Sequence, residues 1–269
     1  HPTILAMPNP DQHPAGNFVW MELATTDPPA AKQFYGALFG WRPADIPMGR
    51  DFVYTMFLHG DRDVCAVYPM KAEDQVLGIP PHWLLYVAVE NADEAISRAL
   101  QLGGQPLSPA IDIPGIGRMA VIRDPVGAIF AIFQPGGHRG MGIVAEDGAF
   151  CWADLQTPDR QLAAKFYGDL FGWEFVLGKD KDPGGYLHIK NRDQYIGGMP
   201  AERSLPRGIP PHWLGYFQCE SCESQTARAV ALGAAMQVPP MTVEGQLHFS
   251  VLADPQGAVF ALFAPEPKE

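Results

Sequence analysis

Seven consecutive residues occur twice in this chain: Gly78-Ile79-Pro80-Pro81-His82-Trp83-Leu84 and, 130 positions later, Gly208-Ile209-Pro210-Pro211-His212-Trp213-Leu214. The same offset separates Asp124-Pro125-Val126-Gly127 from Asp254-Pro255-Gln256-Gly257. Upstream, Phe34-Tyr35-Gly36 with Leu38-Phe39-Gly40-Trp41 returns 132 positions later as Phe166-Tyr167-Gly168 with Leu170-Phe171-Gly172-Trp173. A period this long, repeated once, predicts a duplicated domain; a solenoid would need a shorter unit repeated more often.

The 269 residues accommodate two domains of about 120 each, long enough for each to bury a core. With 47% hydrophobic and 18% charged residues the chain reads as globular, and its 28 Gly and 27 Pro are spread through turns. A net charge of -11 argues against nucleic acid, because no basic stripe is present to displace counterions from phosphates. No apolar run reaches the ~18 residues of a membrane span, and residues 1–16 read as an extended, proline-rich arm. The four cysteines, Cys65, Cys151, Cys219 and Cys222, do not recur at matched positions, which favours a reducing, cytoplasmic setting over a disulfide framework. Cys219 and Cys222 have redox-motif spacing. With no second pair to complete a zinc site, they are expected to span a strand end and a helix start.

Each half reads as strand, helix and strands, twice over. In the first strand Val19, Met21 and Leu23 share one face, while Trp20 and Glu22 share the other; Trp152 and Asp154 are their copies. A carboxylate repeated on that face suggests a lined, wet concavity. Asp27 and Asp159 are placed to cap helices whose stripe includes Phe34, Tyr35 and Leu38, with Gly40 ending the first; Asn91 and Ser221 start the second helix of each half. Runs between Trp41 and Met70 read as two or three antiparallel strands, and Met119 to Phe133 as a hairpin turning at Asp124-Pro125-Val126-Gly127. After the two prolines, His82 and Tyr86 fall on one strand face, as do His212 and Tyr216.

Taken with their copies, Asp27, Phe34-Tyr35, Leu38-Phe39-Gly40-Trp41, Val89-Glu90-Asn91-Ala92 and Asp124-Pro125-Val126-Gly127 resemble the vicinal oxygen chelate superfamily. That superfamily contains glyoxalase I, bleomycin-resistance proteins and extradiol dioxygenases, and the chain looks most like its two-domain glyoxalase-like members. The resemblance implies an α+β fold of tandem glyoxalase-like domains, each two βαβββ modules forming a curved sheet around a cavity. Its boundaries are an arm (1–16), domain 1 (17–135), a linker (136–147) and domain 2 (148–265). It also implies three metal-ligand positions per domain. Here they hold Trp20, Leu84 and Ala131 in the first and Trp152, Leu214 and Ala261 in the second, none of which can ligate a divalent ion.

The candidate acid–base groups are therefore His82 with Glu22 and His212 with Asp154, an imidazole and a carboxylate on one face of each half. Trp20, Tyr86, Trp152 and Tyr216 could stack a planar ligand, with Arg118 and His248 as further binding residues. A plainer reading makes His82 and His212 anchors at a strand start and the tryptophans core filling. No metal or other cofactor is expected; the alternative is a divalent ion relocated to domain 2, using His188, His212, His248 and Asp154. Two function classes remain open. One is a binding protein for a small, aromatic or carbonyl-containing molecule. The other is an enzyme of lyase, isomerase or oxygenase type, metal-free or metal-dependent. The expected assembly is a monomer or homodimer without nucleic-acid or membrane partners.

Overall fold

The structure, a computed structural model, describes residues 13–50, 52–178, 185–201, 209–243 and 247–265. Most of the expected arm and Gly208 of the second repeated block lie outside the described residues.

The first module runs β1 (Phe18–Thr25), α1 (Pro28–Phe39), β2 (Arg42–Pro47), β3 (Val53–His59) and β4 (Arg62–Pro69). After the short α2 (Ala72–Val76), the second runs β5 (His82–Ala88), α3 (Ala92–Gln101), β6 (Gln105–Pro106), β7 (Ile111–Ile113), β8 (Gly117–Arg123) and β9 (Ile129–Pro135). The third comprises β10 (Phe150–Gln156), α4 (Arg160–Phe171), β11 (Glu174–Leu177), β12 (Leu187–Asn191) and β13 (Gln194–Met199). The fourth comprises β14 (His212–Gln218), α5 (Cys222–Ala231), β15 (Ala235–Val243), β16 (Leu247–Ala253) and β17 (Val259–Pro265).

The four long helices begin at the expected caps. Asp27 accepts the amide of Ala30, Asp159 that of Leu162, Asn91 those of Asp93 and Glu94, and Ser221 that of Ser224. Gly40 and Gly172 close α1 and α4 in left-handed conformations, at φ of 73° and 75°. In every module the first strand pairs parallel with the last, and the remaining ladders are antiparallel. This gives two tandem, sheet-dominated domains of α+β class with mixed sheets.

Grouped by compactness, the residues form two units that interleave the sequence halves. One takes residues up to Trp20, then Leu84–Gly140 and Trp152–Leu214; the other takes Met21–Trp83, Met141–Cys151 and the chain from Gly215. The first unit thus joins modules two and three, with strand orders β5-β9-β8-β6 and β11-β12-β13-β10. The second joins modules one and four, ordered β2-β3-β4-β1 and β14-β17-β16-β15. This partition differs from the sequence repeat, 17–135 and 148–265, because of what the repeated motifs do in the core.

In the second unit Tyr35 of α1 is fully buried, and its hydroxyl donates to Asp254 Oδ2 at 3.0 Å while accepting from Trp83 Nε1 at 3.3 Å. The first unit repeats the chain of bonds with the halves exchanged: Tyr167 donates to Asp124 Oδ2 at 3.0 Å and accepts from Trp213 Nε1 at 3.0 Å. Each aspartate spends its other oxygen on its own turn. Asp124 Oδ1 accepts from the amides of Val126, Gly127 and Ala128, and Asp254 Oδ1 from Gln256 and Ala258. The turn needs glycine at its last position, where φ is +122° at Gly127 and +102° at Gly257. Around these bonds the rings of Phe39, Trp41, Phe217 and Phe260 pack in one unit, and those of Phe130, Phe171, Trp173 and Trp213 in the other. The repeated Phe-Tyr-Gly, His-Trp-Leu and Asp-Pro-x-Gly motifs are therefore pieces of one polar-stitched aromatic core, made once in each unit.

All four cysteines are buried free thiols. Cys219 follows β14 and Cys222 opens α5, the expected placement, and burial pushes both thiols up, which removes the thiolate that redox chemistry needs.

Candidate functional site

Strand register builds the same arrangement in modules one and three. In module one Glu22 of β1 lies opposite Ala66 of β4, which lies opposite Met56 of β3. Side chains two positions apart share a face, which brings Tyr54 beside this row. Its hydroxyl donates to Glu22 Oε1 at 2.5 Å. Behind the pair, burial followed by the Glu22 charge pushes the Tyr68 phenol and the Cys65 thiol up, keeping both neutral.

In module three the matching row is Asp154, Gly198 and His188. Tyr186 donates to Asp154 Oδ1 at 2.5 Å, and Trp152 Nε1 lies 3.1 Å from that oxygen and 2.8 Å from the Tyr186 hydroxyl. Asp154 is 4% exposed. The Tyr186 ring lies directly over Gly198, where a Cβ would collide with it; the first half carries Ala66 there. His188 stands edge-on among rings, its centroid 4.9 Å from Tyr186, 5.6 Å from Tyr195 and 6.2 Å from Trp152. The result is a buried carboxylate bonded by a phenol and an indole, walled by aromatic surface.

The sequence reading identified Trp152 and Asp154, which the structure brings together, and Glu22, but missed their phenol partners. The signal was present: Tyr54 and Tyr186 are 132 positions apart, the offset of Trp20–Trp152 and Glu22–Asp154. Trp20 is buried, with its ring edge-on to His138 at 4.8 Å. Tyr86 and Tyr216 are buried in β5 and β14, and Tyr216 lies 6.4 Å from Phe249. Trp20 and Tyr86 belong to the first compact unit, Glu22 and His82 to the second.

The two repeated histidines bond to their own loops. His82 Nδ1 is 2.9 Å from the Pro80 carbonyl and His212 Nδ1 2.8 Å from that of Pro210. Each ring nitrogen therefore carries its hydrogen toward a carbonyl and fixes the turn after the proline pair. Burial holds the His212 imidazole below its ordinary pKa. Arg118 lies between Asp93 at 2.9 Å and Asp112 at 2.7 Å, and His248 Nδ1 is 2.9 Å from Glu223.

At the metal-ligand positions implied by the fold, Leu84 and Ala131 are buried in one half and Leu214 and Ala261 in the other. Trp20 and Trp152 complete the two sets, and Trp152 directs its only polar hydrogen at Asp154 and Tyr186. An indole, an isobutyl group and a methyl group supply no lone pair for a divalent ion, so these residues do not fit a metal. Among the described residues no group of three or more His, Cys, Asp or Glu side chains could hold an ion elsewhere. No helix among them is long and apolar enough to cross a membrane.

Residues 17–132 match the glyoxalase/bleomycin resistance protein/dioxygenase superfamily, and residues 152–263 match the glyoxalase-like domain. A Mycobacterium tuberculosis protein provisionally named a glyoxylase, CFP32, is 35% identical over 98% of this chain and 100% of its own. The anthracycline biosynthesis protein DnrV of Streptomyces peucetius is 29% identical over 90% of this chain and 91% of its own. Among solved structures, the Mn(II)-bound glyoxalase of Novosphingobium aromaticivorans superposes with a TM-score of 0.63 at 16% identity, covering 93% of this chain and 82% of that one. The 2,3-dioxygenase LapB of Pseudomonas sp. KL28 gives 0.64 at 16% identity, covering 93% of each chain.

Proposed function

Because the chain belongs to the glyoxalase/bleomycin resistance protein/dioxygenase superfamily, we propose that it is a small-molecule-binding member working without the usual metal. Its ligand is a planar aromatic molecule, and its carboxylate–phenol pairs add a capacity for metal-free acid–base chemistry. The observation that carries this reading is Trp152. It occupies a metal-ligand position, yet its indole N–H is bound into the Asp154–Tyr186 pair, so a ligating position has become part of an aromatic, carboxylate-bearing wall. The kinship with proteins named for anthracycline biosynthesis supports an aromatic ligand, since anthracyclines are polycyclic aromatics.

The acid–base role rests on Asp154 with Tyr186 and on Glu22 with Tyr54. His82 and His212 contribute less, because each already engages a backbone carbonyl. When Tyr186 takes a proton from a bound hydroxyl, its own proton passes to Asp154. The ligand is left as an oxyanion and the carboxyl as a neutral acid, with charge conserved. Four buried free thiols are consistent with a cytoplasmic setting.

Elemental analysis together with native mass spectrometry of the purified chain tests the reading. The expected result is no stoichiometric Zn, Ni, Fe or Mn, and ligand binding unaltered by a chelator. One tightly held transition metal per chain would overturn it and direct attention to His188.

A further inference from the structure

A cavity of about 700 Å³ lies between the β12–β13 turn and the start of the described chain, and none of the candidate groups above lines it. Its wall includes Pro14 and Ala15, Glu90 after β5, Gln134 and Pro135 of β9, and Arg192 of the turn, all in the first compact unit. His13 and Arg139 line it too, but each already holds an interaction of its own. Arg192 is different. It is exposed, enters no ion pair or side-chain hydrogen bond among the described residues, and shares the cavity with Glu90 without pairing to it. From this we infer a binding site separate from the carboxylate–phenol walls, at which Arg192 receives the carboxylate of a small monoanionic organic acid. A guanidinium presents parallel N–H groups that match a planar carboxylate. Glu90, on the same cavity, repels a second negative charge on the ligand, which sets a carboxylate above a phosphate. Pro14, Ala15 and Pro135 offer apolar surface to the rest of the molecule.

The backbone supplies an independent observation. Arg192 holds φ at +54°, a left-handed conformation that a Cβ disfavours, whereas the equivalent turn of the first half has Gly60 at +62°. A strained arginine therefore stands where the repeat shows that glycine is sufficient, and its exposure removes packing as the reason. The turn is held from both sides. Asn191, 4% exposed, donates through Nδ2 to the Ala15 carbonyl at 3.0 Å and to Asn17 Oδ1 at 2.6 Å. Asn17 Nδ2 in turn donates to Gln194 Oε1 at 3.1 Å. The first half has His59 and Arg62 in place of Asn191 and Gln194. These bonds fix the turn against the segment that carries Pro14 and Ala15, so little backbone ordering is left for a ligand to impose. Strain retained at a position so firmly braced marks a side chain kept for what it does.

The test titrates the full chain with butanoate, with butanamide as its uncharged counterpart, and with inorganic phosphate. One low ionic strength is kept throughout, because salt screens an exposed guanidinium. Aliphatic probes separate this site from the aromatic-ligand reading, which stands or falls on its own. Backbone amide chemical shifts of Ala88, Val89, Glu90, Gln134, Gly136 and Arg192 report binding at the cavity. Butanoate should bind about tenfold more tightly than butanamide, the worth of one charge-assisted pair, and more tightly than phosphate. Arg192→Gly should reduce the tenfold ratio to about twofold or less while raising the melting temperature, since the strain leaves with the side chain. Arg192→Gln removes the charge but keeps a side chain, and should lower the ratio equally; it decides the matter if the glycine variant does not fold. Glu90→Gln should narrow the gap between phosphate and butanoate. Equal binding of acid and amide, no saturable shifts at the cavity, or a ratio that survives either substitution of Arg192 would overturn the inference. Phosphate bound as tightly as butanoate would overturn the assignment to a monocarboxylate.

Discussion

At the scale of single residues, Tyr35 and Tyr167 show what the repeated motifs are for. Each hydroxyl is sealed from water between an indole N–H and a carboxylate. Tyr35→Phe would leave the Asp254 oxygen and the Trp83 N–H unmatched in the core, at a cost of about 1–3 kcal/mol. The melting temperature should fall by about 3–8 °C in a chain of this size, and an unchanged melt would show that the bond carries no net stability. The aspartates should leave a pH signature. Burial raises the Asp254 and Asp124 carboxyl groups above their ordinary value, against the opposing pull of turn amides and tyrosine hydroxyls. A carboxyl raised by folding holds its proton to higher pH in the folded chain. Its contribution is complete below the unfolded value of about 4 and is lost as pH rises through the folded one. The stability of the wild type relative to Asp254→Asn should therefore increase as pH is lowered from 7 toward about 4, read as a difference in melting temperature. A difference that stays flat would mean the group ionises as readily folded as unfolded. The apolar stripe of α1 made Tyr35 legible in the sequence as a core residue. Its partner was not, because Asp254 is 219 positions away and periodicity reports a face, never what lies against it. The same limit hid Tyr54 and Tyr186, whereas the parity that grouped Trp152 with Asp154 was sufficient to find those two. Repetition drew attention to His82 and His212, yet repetition marks a shared turn as readily as shared chemistry.

At the scale of elements, the helix starts were legible because each is written locally, in a capping side chain followed by an apolar stripe. The elements that escaped have no such local signature. The five residues of α2 are too few for a period, and β15 contains Pro239 and Pro240, which interrupt a strand pattern. The structure accommodates those prolines at a sheet edge, with a register shift between Val238 and Met241. The β12–β13 hairpin offers a test of strain. Arg192 holds φ at +54°, while the equivalent β3–β4 turn places Gly60 at +62°. A left-handed conformation costs a residue with a Cβ about 1 kcal/mol or more, so Arg192→Gly should stabilise the chain by about 0.5–1 kcal/mol once the looser unfolded state is allowed for. Thermal melting would register a rise of a few degrees, and Gly60→Arg should move it the other way. A fall in the Arg192→Gly melt would mean the guanidinium makes contacts that outweigh the strain.

At the scale of the whole molecule, a duplicated sequence invites the expectation that each half folds by itself, and the core bonds argue otherwise. Tyr35 belongs to the first half and Asp254 to the second; Tyr167 belongs to the second and Asp124 to the first. A fragment of residues 13–140 therefore carries Tyr35 without its acceptor and Asp124 without its donor. It also exposes the aromatic faces of Phe39, Trp41 and Phe130, normally covered by Phe217, Phe260, Phe166 and Tyr167. A monomer of that fragment would present a large apolar patch with a carboxylate in it, which water cannot stabilise as the native partner does. Asp124 and Asp254 hold the same place in their halves, so a second copy can supply what is missing. Tyr35 of each copy would meet Asp124 of the other across a two-fold axis. The fragment should accordingly sediment as a dimer with a cooperative melt. Tyr35→Phe should weaken that dimer through both of its equivalent bonds, and added fragment 141–265 should displace one copy to rebuild the native pairing. Sedimentation of the fragment across a concentration series decides the matter. A folded monomer that keeps its melting temperature on dilution would show that the exchanged tyrosine–aspartate bonds are dispensable, and that each half is a domain in the energetic sense as well as in sequence.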